Sequence, residues 1–419
     1  MHGLDHCGRG LGSGGRIAMS RLPWLDKQIF HLFLITLFIM PFSITLNEIF
    51  MDLTIFLWTL RLIVNREKIK IPPLGWFFLI FLFVALLSAI ASDYTNQAFR
   101  GVWEITRYTV TFFIVISTVK SNEQTQKVIW TLIVSTGLWA LMGMIHQFLI
   151  VKRVLFELLQ FCSLGNKNAI GQYLQMILSL MVGLFISNAF GRQGRKAFIA
   201  VFLICLLGLF MSGSKTMWVA FSLTLFVFGV LKRSRQIFIG VGCIVLALMV
   251  TTLVSDRVRT LNIDILKSIE APSMRERYIG WKASYPMFLD NPILGVGPKC
   301  FMEVREKYNV PSFFGQGHNM IFHVAFEMGV VGVGSLIAWI VFYIYFIATY
   351  RKKIKNPIYF GLWFGGVGCI VTLAIGGLTE PTIGGEHSQL FMTLVGLMHV
   401  DLEVNGKDYR NGSSKEEFV

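Results

Sequence analysis

The stretch LGWFFLIFLFVALLSAIA, at residues 74–91, contains no charged side chain. One α-helix of this kind can cross the hydrocarbon core of a bilayer, because a crossing needs about 20 residues. Similar apolar blocks recur at 29–46, 49–64, 103–119, 128–150, 169–190, 197–211, 216–231, 236–254, 319–348, 358–378 and 387–400. They predict an all-α polytopic membrane protein with about twelve transmembrane helices. The two blocks within 29–64 are predicted to form a tight hairpin that breaks at Asn47 and Glu48.

The composition supports this fold class. Of the 419 residues, 54% are hydrophobic and 15% are charged, whereas about a quarter of the residues in soluble domains are charged. A net charge of +14 on a soluble protein would suggest nucleic acid as a partner. Here the basic residues lie mainly between apolar blocks. We therefore assign them to membrane topology, and expect membrane lipids but no nucleic acid as partners.

Basic residues concentrate in the N-terminal segment and in every second connection between the blocks. They are Arg16, Arg21, Lys27, Arg66, Lys68, Lys70, Lys120, Lys127, Arg192, Arg195, Lys196, Lys232, Arg233, Arg235, Arg351, Lys352, Lys353 and Lys355, with Lys152 and Arg153 as the main exception to the alternation. Basic connections stay cytoplasmic, so both termini are predicted inside and the other connections outside.

This alternation divides the chain into five segments. The N-terminal tail at 1–28 and the C-terminal tail at 401–419 are predicted to be cytoplasmic. Nine transmembrane helices occupy 29–254, and three more occupy 319–400. Between them, 255–318 forms one large periplasmic loop with short helices, and loops of this length usually serve a function.

One helix is predicted inside the loop, at Met274–Asp290. Its aromatic residues follow helical spacing: Tyr278, Trp281, Tyr285 and Phe288. This pattern predicts an amphipathic helix at the membrane interface. Asn291 and Pro292 end the helix, and Gly295–Pro298 forms the turn that follows.

Four basic residues near outward helix ends are candidates for binding an anionic headgroup, with pyrophosphate as the expected ligand. They are Lys215, Arg277, Arg107 and Arg275. Guanidinium and ammonium groups neutralise phosphate oxygens. Structural roles remain open alternatives. Lys215 fits a helix-end anchor, Arg277 an arginine that snorkels to lipid phosphate, and Arg107 an internal salt bridge with Glu104.

His318 is the candidate general base. It lies in the segment Gly315–Asn319, where the loop re-enters the membrane, and the nearby glycines permit close approach of a substrate. An imidazole can accept a proton near neutral pH. A capping or interfacial histidine is the alternative. Asn319, Asn168 and His387 are further candidates, although Asn168 also fits a helix cap, and His323 and Glu327 fit a structural hydrogen bond.

Several chemical signatures are absent from the sequence. The outward connections hold no DxD spacing, and the chain has no Walker loop. The cysteines form no CxxC pair, which leaves open only a disulfide between Cys162 and Cys300. We therefore expect no metal, no nucleotide and no other cofactor.

In chain order, four segments resemble the signature domain shared by O-antigen ligases and O-antigen polymerases: Arg277–Trp281, Asp290–Pro298, Gly317–Asn319 and Glu327–Gly332. Ser212–Lys215 resembles the upstream element of the same family. The resemblance is specific over about 210–335, and its strength lies in the order of short motifs.

The resemblance implies an all-helical fold related to the multi-spanning (GT-C) glycosyltransferases. It implies a glycan donor on undecaprenyl pyrophosphate, a lipid A–core acceptor, and inverting transfer without metal or nucleotide. The loop arginine and the loop histidine of the family fall on Arg277 and His318. The upstream element usually ends in arginine, but here it ends in Lys215, which keeps the charge and loses the bidentate fork.

Three other functions remain open at this point. An O-antigen polymerase would use another lipid-linked glycan as acceptor, and a protein O-oligosaccharyltransferase would use a Ser or Thr side chain. A transporter of lipid-linked glycans would need the cationic site without the histidine chemistry. We favour a ligase, because one compact loop and the chain length fit it.

Overall fold

The computed structural model describes residues 23–147, 167–189, 195–246, 274–312 and 314–404. Its helices are α1 (Pro23–Ile39), α2 (Ile44–Asn65), α3 (Pro73–Ala91), α4 (Thr95–Thr118), α5 (Asn122–Ile145), α6 (Lys167–Ile186), α7 (Arg195–Met211), α8 (Lys215–Lys232), α9 (Arg235–Leu246), α10 (Met274–Asp290), α11 (Phe301–Val304), α12 (Met320–Tyr350), α13 (Pro357–Val371) and α14 (Gly385–Val404). No β-strand occurs in these ranges. The predicted all-α class is therefore confirmed for the described residues.

Some predicted features lie outside the described residues. They include 1–22 and 405–419 of the two tails and 255–273 of the loop. Cys162, the other cysteine of the possible disulfide, also lies outside the described residues. Cys300 itself is a buried free thiol, and burial raises its pKa to about 11.

Each predicted apolar block overlaps a helix, and the last residues of the blocks at 128–150, 169–190 and 236–254 lie outside the described residues. Among the described residues, six helical segments are long and apolar enough to span a membrane: Pro73–Ala91, Asn122–Ile145, Lys167–Ile186, Lys215–Lys232, Met320–Lys353 and Pro357–Gly376. The described part of the chain is thus all-helical, and its apolar helices are those of a membrane protein. The larger number of about twelve spans remains a prediction.

The hairpin of α1 and α2 breaks earlier than predicted. The chain turns at 40–43, and Asn47 and Glu48 lie inside α2. Ser43 caps α2, since its hydroxyl oxygen accepts a hydrogen bond from the backbone N–H of Leu46 at 3.3 Å. Asn47 continues the helix because its side chain donates to Gln389 on α14 at 2.9 Å.

The helical bundle also extends further at both ends than the predicted tails allow. α1 begins at Pro23, and proline is favoured at the first helical position. α14 continues past residue 400 to Val404. Asp401 is buried there and accepts a hydrogen bond from the Tyr350 hydroxyl at 2.8 Å, so it belongs to the packed interior.

Contacts between helices define the two ends of the bundle. Asn47 near the start of α2 contacts Gln389 near the start of α14, while Tyr350 and Asp401 join the ends of α12 and α14. The starts of α6 and α8 lie at the same end as the start of α14, because Asn168 on α6 contacts both Ser214 and the connection after α13.

The predicted alternation of charge follows these two ends. The basic connections after α2, α4, α6, α8 and α12 share the end opposite to the start of α14. Their described basic residues are Arg66, Lys68, Lys70, Lys120, Arg195, Lys196, Lys232, Arg233, Arg235, Arg351, Lys352, Lys353 and Lys355. We predict that this end faces the cytoplasm.

Small residues hold α6 and α13 close together. A Cβ on Gly183 of α6 would lie 2.5 Å from the carbonyl oxygen of Gly361, and a Cβ on Gly368 would lie 2.3 Å from the Ser179 side chain. Close backbone approach of this kind is typical of membrane helix pairs. It matters for the site because α6 begins, and α13 ends, at the same end of the bundle.

The turn after α10 is held by a break in α12. Gly329 has a non-helical backbone, with φ 62° and ψ −163°, so the helix kinks there and leaves backbone groups free. The 292–297 turn satisfies them. Val330 N–H donates to the Pro292 carbonyl at 2.9 Å, and the Gly297 N–H donates to the Glu327 carbonyl at 2.9 Å. We call this contact between 292–297 and 326–331 the α12 latch.

Gly329→Ala is expected to break the α12 latch and lower the stability of the protein. The positive φ disfavours any side chain by roughly 1–3 kcal/mol. A Cβ would also lie 2.3 Å from the Ile293 carbonyl oxygen. The measurement is the melting temperature in detergent. Gly334→Ala on the same helix is the control, because its Cβ would meet nothing within 4 Å, and alanine there should be neutral or stabilising.

Candidate functional site

The buried face of α10 carries Arg277. The Arg277 side chain is buried, whereas Tyr278 and Tyr285 are exposed, so the helix presents the arginine inward and these tyrosines outward. Trp281 anchors the helix by donating from its indole N–H to the Gly317 carbonyl at 2.6 Å. The predicted helix is therefore confirmed, with the same bounds. Arg275 lies on it too, but its side chain is outside the described part.

His318 is held beside α10 in an unusual backbone conformation. Its φ is 43°, in the left-handed region, which costs energy for a residue other than glycine. Its ring is buried and lies 5.2 Å from that of Phe314. Asn319 then starts α12 as its cap, since its side-chain oxygen accepts from the N–H groups of Ile321 and Phe322. The structure thus gives Asn319 a structural role.

Glu380 brings the predicted arginine and histidine together. It lies in the connection between α13 and α14 and is buried. Its Oε1 is 3.4 Å from Nδ1 of His318 and 3.8 Å from Nη2 of Arg277. Asn168 Nδ2 donates to the same Oε1 at 2.9 Å, and the Gln316 amide donates to Oε2. We call these five residues the Glu380 cluster.

Lys215 lies outside the Glu380 cluster and directly follows Ser214, which contacts that cluster. It is the exposed first residue of α8. The preceding Ser214 donates from its hydroxyl to Oδ1 of Asn168 at 2.7 Å, which ties the start of α8 to the cluster. Among the described residues, Lys215 has no hydrogen bond or ion pair to a side chain. Its ammonium group is therefore open to a ligand.

Arg107 forms a salt bridge, but with different partners from the predicted one. It contacts Glu48 at 2.6 Å and Asp52 at 2.8 Å, both on α2. Glu104 instead contacts Lys299 at 2.7 Å. Since two carboxylates already neutralise Arg107, a pyrophosphate would have to compete with them. The role of Arg107 in pyrophosphate binding stays a prediction.

A cavity of about 430 Å³ adjoins the cluster, and Glu380 and Gln316 line it. The cavity is more acidic than the cationic pocket that we expected. Its walls carry the carboxyl groups of Glu104, Glu327, Glu380 and Glu386. Lys299 also lines it, but Arg277, His318 and Lys215 do not. The cations therefore flank this cavity rather than surround it.

His387 and Glu386 line the cavity from the first turn of α14. Both are buried, and neither ring nitrogen of His387 makes a hydrogen bond of normal geometry among the described residues, although the backbone of Thr382 lies beside the ring. Burial raises the pKa of Glu386 to about 7, and the charges of Glu104 and Glu48 add to that shift. His387 therefore lines the cavity with its ring, while both ring nitrogens are buried.

Glu386→Gln is expected to change how stability depends on pH. The pKa of Glu386 in the folded protein, about 7, lies above its usual value of 4.5. Wild type therefore has its full stability below about pH 4.5 and loses it, relative to the variant, as pH rises through about 7. Melting temperatures of both proteins between about pH 5 and 8.5 measure this difference. Glu303→Gln, at an exposed position on α11, should show the same pH dependence of the melting temperature as wild type. A difference in melting temperature between wild type and Glu386→Gln that stays constant across this pH range would contradict the expectation.

Two polar groups outside the Glu380 cluster have structural roles. Glu327 accepts from the N–H of Lys299 at 2.8 Å and lies 3.6 Å from His323, so it supports the turn after α10. This agrees with the predicted pairing of His323 and Glu327. Within the described ranges, no three His, Cys, Asp or Glu side chains form a group that would hold a metal ion.

Glu380 is the ionisable residue of the cluster to which the sequence analysis gave no role. The available signal was a carboxyl group in a connection between two apolar blocks, where an ionisable side chain normally has a function. Nothing in the local sequence indicated which residues it would contact. Asn168 was predicted as a candidate, and the structure places it between Glu380 and Ser214.

Comparison with known proteins agrees with the motifs. Residues 200–337 match the family model described as O-antigen ligase. No curated protein matches the chain. The matched segment contains Lys215, Arg277 and His318, while Asn168 and Glu380 lie outside it. The match confirms the predicted resemblance to O-antigen ligases over the part of the chain that carries these motifs.

Proposed function

We propose that the protein is an O-antigen ligase that transfers a glycan from undecaprenyl pyrophosphate to lipid A–core at the periplasmic face of a bacterial inner membrane. One observation carries this proposal. Arg277 and His318, which come from different segments of the loop, both contact the same carboxylate oxygen of Glu380. A cation for a leaving diphosphate and a base for an attacking hydroxyl thus lie side by side.

His318 acts as the general base in this proposal. Glu380 lies next to Nδ1, so it orients the ring and leaves Nε2 to face the acceptor. Nε2 takes the proton from an acceptor sugar hydroxyl as its oxygen attacks the anomeric carbon of the donor. The bond from that carbon to the pyrophosphate oxygen breaks, and the pair of electrons leaves with the pyrophosphate. This single displacement inverts the anomeric carbon.

Arg277 stabilises the leaving pyrophosphate. Its contact with Glu380 is long, at 3.8 Å, and its Nε has no hydrogen-bond partner among the described residues. The guanidinium therefore retains donors for phosphate oxygens, which gain charge as the glycosidic bond breaks. Lys215 is placed to add a second positive charge. The side chains of Arg275 and Arg107 remain further candidates for this contact.

The polyprenyl tail of the donor is proposed to lie in a lipid-facing groove between helices. The cavity supports this placement, because its wall includes apolar residues toward the membrane part of the bundle. Ile44 at the start of α2 is partly exposed, and Phe81 and Ile105 lie deeper. A donor with its headgroup in the polar part would direct its chain past such residues into lipid.

Transfer by the purified protein tests this function. The reaction contains undecaprenyl pyrophosphate glycan and lipid A–core, with no metal and no nucleotide, and product is detected as glycan attached to the core. Parallel reactions offer a second lipid-linked glycan or a Ser/Thr peptide as acceptor. Transfer to lipid A–core supports the ligase. Elongation of the lipid-linked glycan would identify a polymerase instead. Modification of the peptide would identify an oligosaccharyltransferase.

A further inference from the structure

A second cavity lies at the basic end of the bundle, opposite to the end that holds the Glu380 cluster. It has a volume of about 370 Å³ and lies where α12 ends and α3 begins. Two lysines line it: Lys70 in the connection before α3, and Lys353 in the short helical turn after α12. Both side chains are exposed, so a ligand in the cavity can reach them.

The charge of this cavity is positive, in contrast to the acidic cavity at the other end. None of the described residues that line it carries a carboxyl group. Two acidic residues on neighbouring segments have partners of their own. Glu67 is paired with Arg61. Asp401 accepts a hydrogen bond from the Tyr350 hydroxyl at 2.8 Å. The two lysines therefore make the cavity attractive to an anion.

Both lysines lie at the depth of lipid headgroups. The segments Pro73–Ala91 and Met320–Lys353 are long and apolar enough to span a membrane. Lys70 comes just before the first segment, and Lys353 is the last residue of the second. Long basic side chains at the ends of such spans extend to the membrane interface. An anion held between these lysines therefore lies level with the phosphates of the bilayer.

The walls of the cavity are mainly apolar and aromatic. Phe342 of α12 lines it and stacks on Phe77 of α3, with ring centroids 4.4 Å apart. The buried ring of His399 forms part of the wall and stacks on Phe346 at 4.3 Å. Tyr345 lines the cavity and is 60% exposed, so the cavity opens to the outer surface of the bundle. Apolar walls below a basic rim suit an amphiphilic anion.

We infer that this cavity binds an anionic phospholipid, with its phosphate between Lys70 and Lys353 and an acyl chain against Phe342 and Tyr345. Ammonium groups pair with phosphate oxygens, and basic pockets between membrane helices on the cytoplasmic side hold anionic headgroups. The volume of about 370 Å³ is within the usual range of ligand pockets. The inference does not rest on the proposed function, because the lining residues are separate from the proposed transfer site.

The lipid would connect two helices that also meet at the opposite end, where the α12 latch lies. The Ser88 hydroxyl of α3 donates to the Glu327 carbonyl of α12 at 2.9 Å. The Ser92 hydroxyl donates to the Val296 carbonyl at 2.6 Å. A lipid that contacts α3 and α12 at the basic end stabilises the same helix pair. Its binding should therefore raise the melting temperature.

Melting temperatures of the purified protein in detergent test the inference. Added phosphatidylglycerol should raise the melting temperature by roughly 3 °C, since a ligand that binds only the folded protein stabilises it. Phosphatidylcholine with the same acyl chains has no net charge and should have little effect. Inorganic phosphate at the same concentration should have none, because it lacks the acyl chain. Equal stabilisation by phosphatidylcholine, or by inorganic phosphate, would overturn the inference.

Variants locate the lipid in the cavity. Lys70→Gln/Lys353→Gln should lose the response to phosphatidylglycerol, and Lys70→Arg/Lys353→Arg should keep it. The matched control is Lys68→Gln/Lys352→Gln, which removes two exposed charges from the same end at positions that do not line the cavity. This control should respond as wild type does. An equal loss in both glutamine variants would contradict a defined site, and so would a full response in Lys70→Gln/Lys353→Gln.

Discussion

His318→Ala is expected to abolish glycan transfer while the protein remains folded in the membrane. A positioned general base contributes about 10²–10⁴-fold to a rate, so the turnover number should fall by that factor. The donor KM should change much less, because the proposed pyrophosphate contacts come from Arg277 and Lys215. Initial rates with purified protein and lipid-linked glycan measure both parameters.

The backbone at His318 requires a second variant. Its φ of 43° strains an alanine, whereas asparagine tolerates the left-handed region. His318→Asn should therefore melt near wild type and still lack activity. His31→Ala, on an exposed part of α1, controls for general effects of losing a histidine. Full transfer by His318→Asn would remove His318 from the mechanism.

Arg277→Ala should cause the second large loss. Removing one preorganised donor from a developing negative charge typically costs about 10²–10³-fold in turnover. Arg277→Lys should fall between wild type and alanine, because lysine keeps the charge but not the planar fork. The donor KM should rise in both variants, in contrast to His318→Asn. A titration of donor at saturating acceptor separates the two parameters.

Lys282→Ala is the matched control for Arg277. It lies on the exposed side of the same helix, α10, and should keep the kinetics of wild type. Glu380→Gln tests the positioning role of the shared carboxylate. It should lower turnover less than His318→Asn, because Glu380 acts through His318 rather than on the substrate. An Arg277→Ala enzyme with unchanged donor KM and turnover would contradict the proposed phosphate contact.

Long apolar blocks made the helices of this fold predictable. Each block has a hydrophobic run that only a helix can bury in lipid with its backbone groups paired. The break between α1 and α2 was predicted wrongly because polar residues suggested a turn. Asn47 is in fact satisfied by Gln389, which is far away in sequence. A local pattern does not contain such a partner.

The candidate site was predictable only in its parts. The motifs identified Arg277 and His318, because a guanidinium and an imidazole in one outward loop have a clear chemical use. Both residues contact Glu380, which lies in the connection between α13 and α14. Its position depends on how α13 packs on α6 and on where that connection turns. Arg107 shows the same dependence on distant partners. The sequence left open a phosphate contact or a salt bridge with Glu104, and the structure shows a salt bridge with Glu48 and Asp52 on a neighbouring helix.

The kink at Gly329 has a consequence for handling the protein. The loop is fastened by backbone hydrogen bonds to the interior of a bilayer-spanning helix, and not only to the headgroups around it. Detergent extraction removes headgroups but leaves such internal bonds in place. The geometry around His318 should therefore survive solubilisation, so a loss of turnover in micelles would point to missing lipid substrate rather than to a collapsed loop.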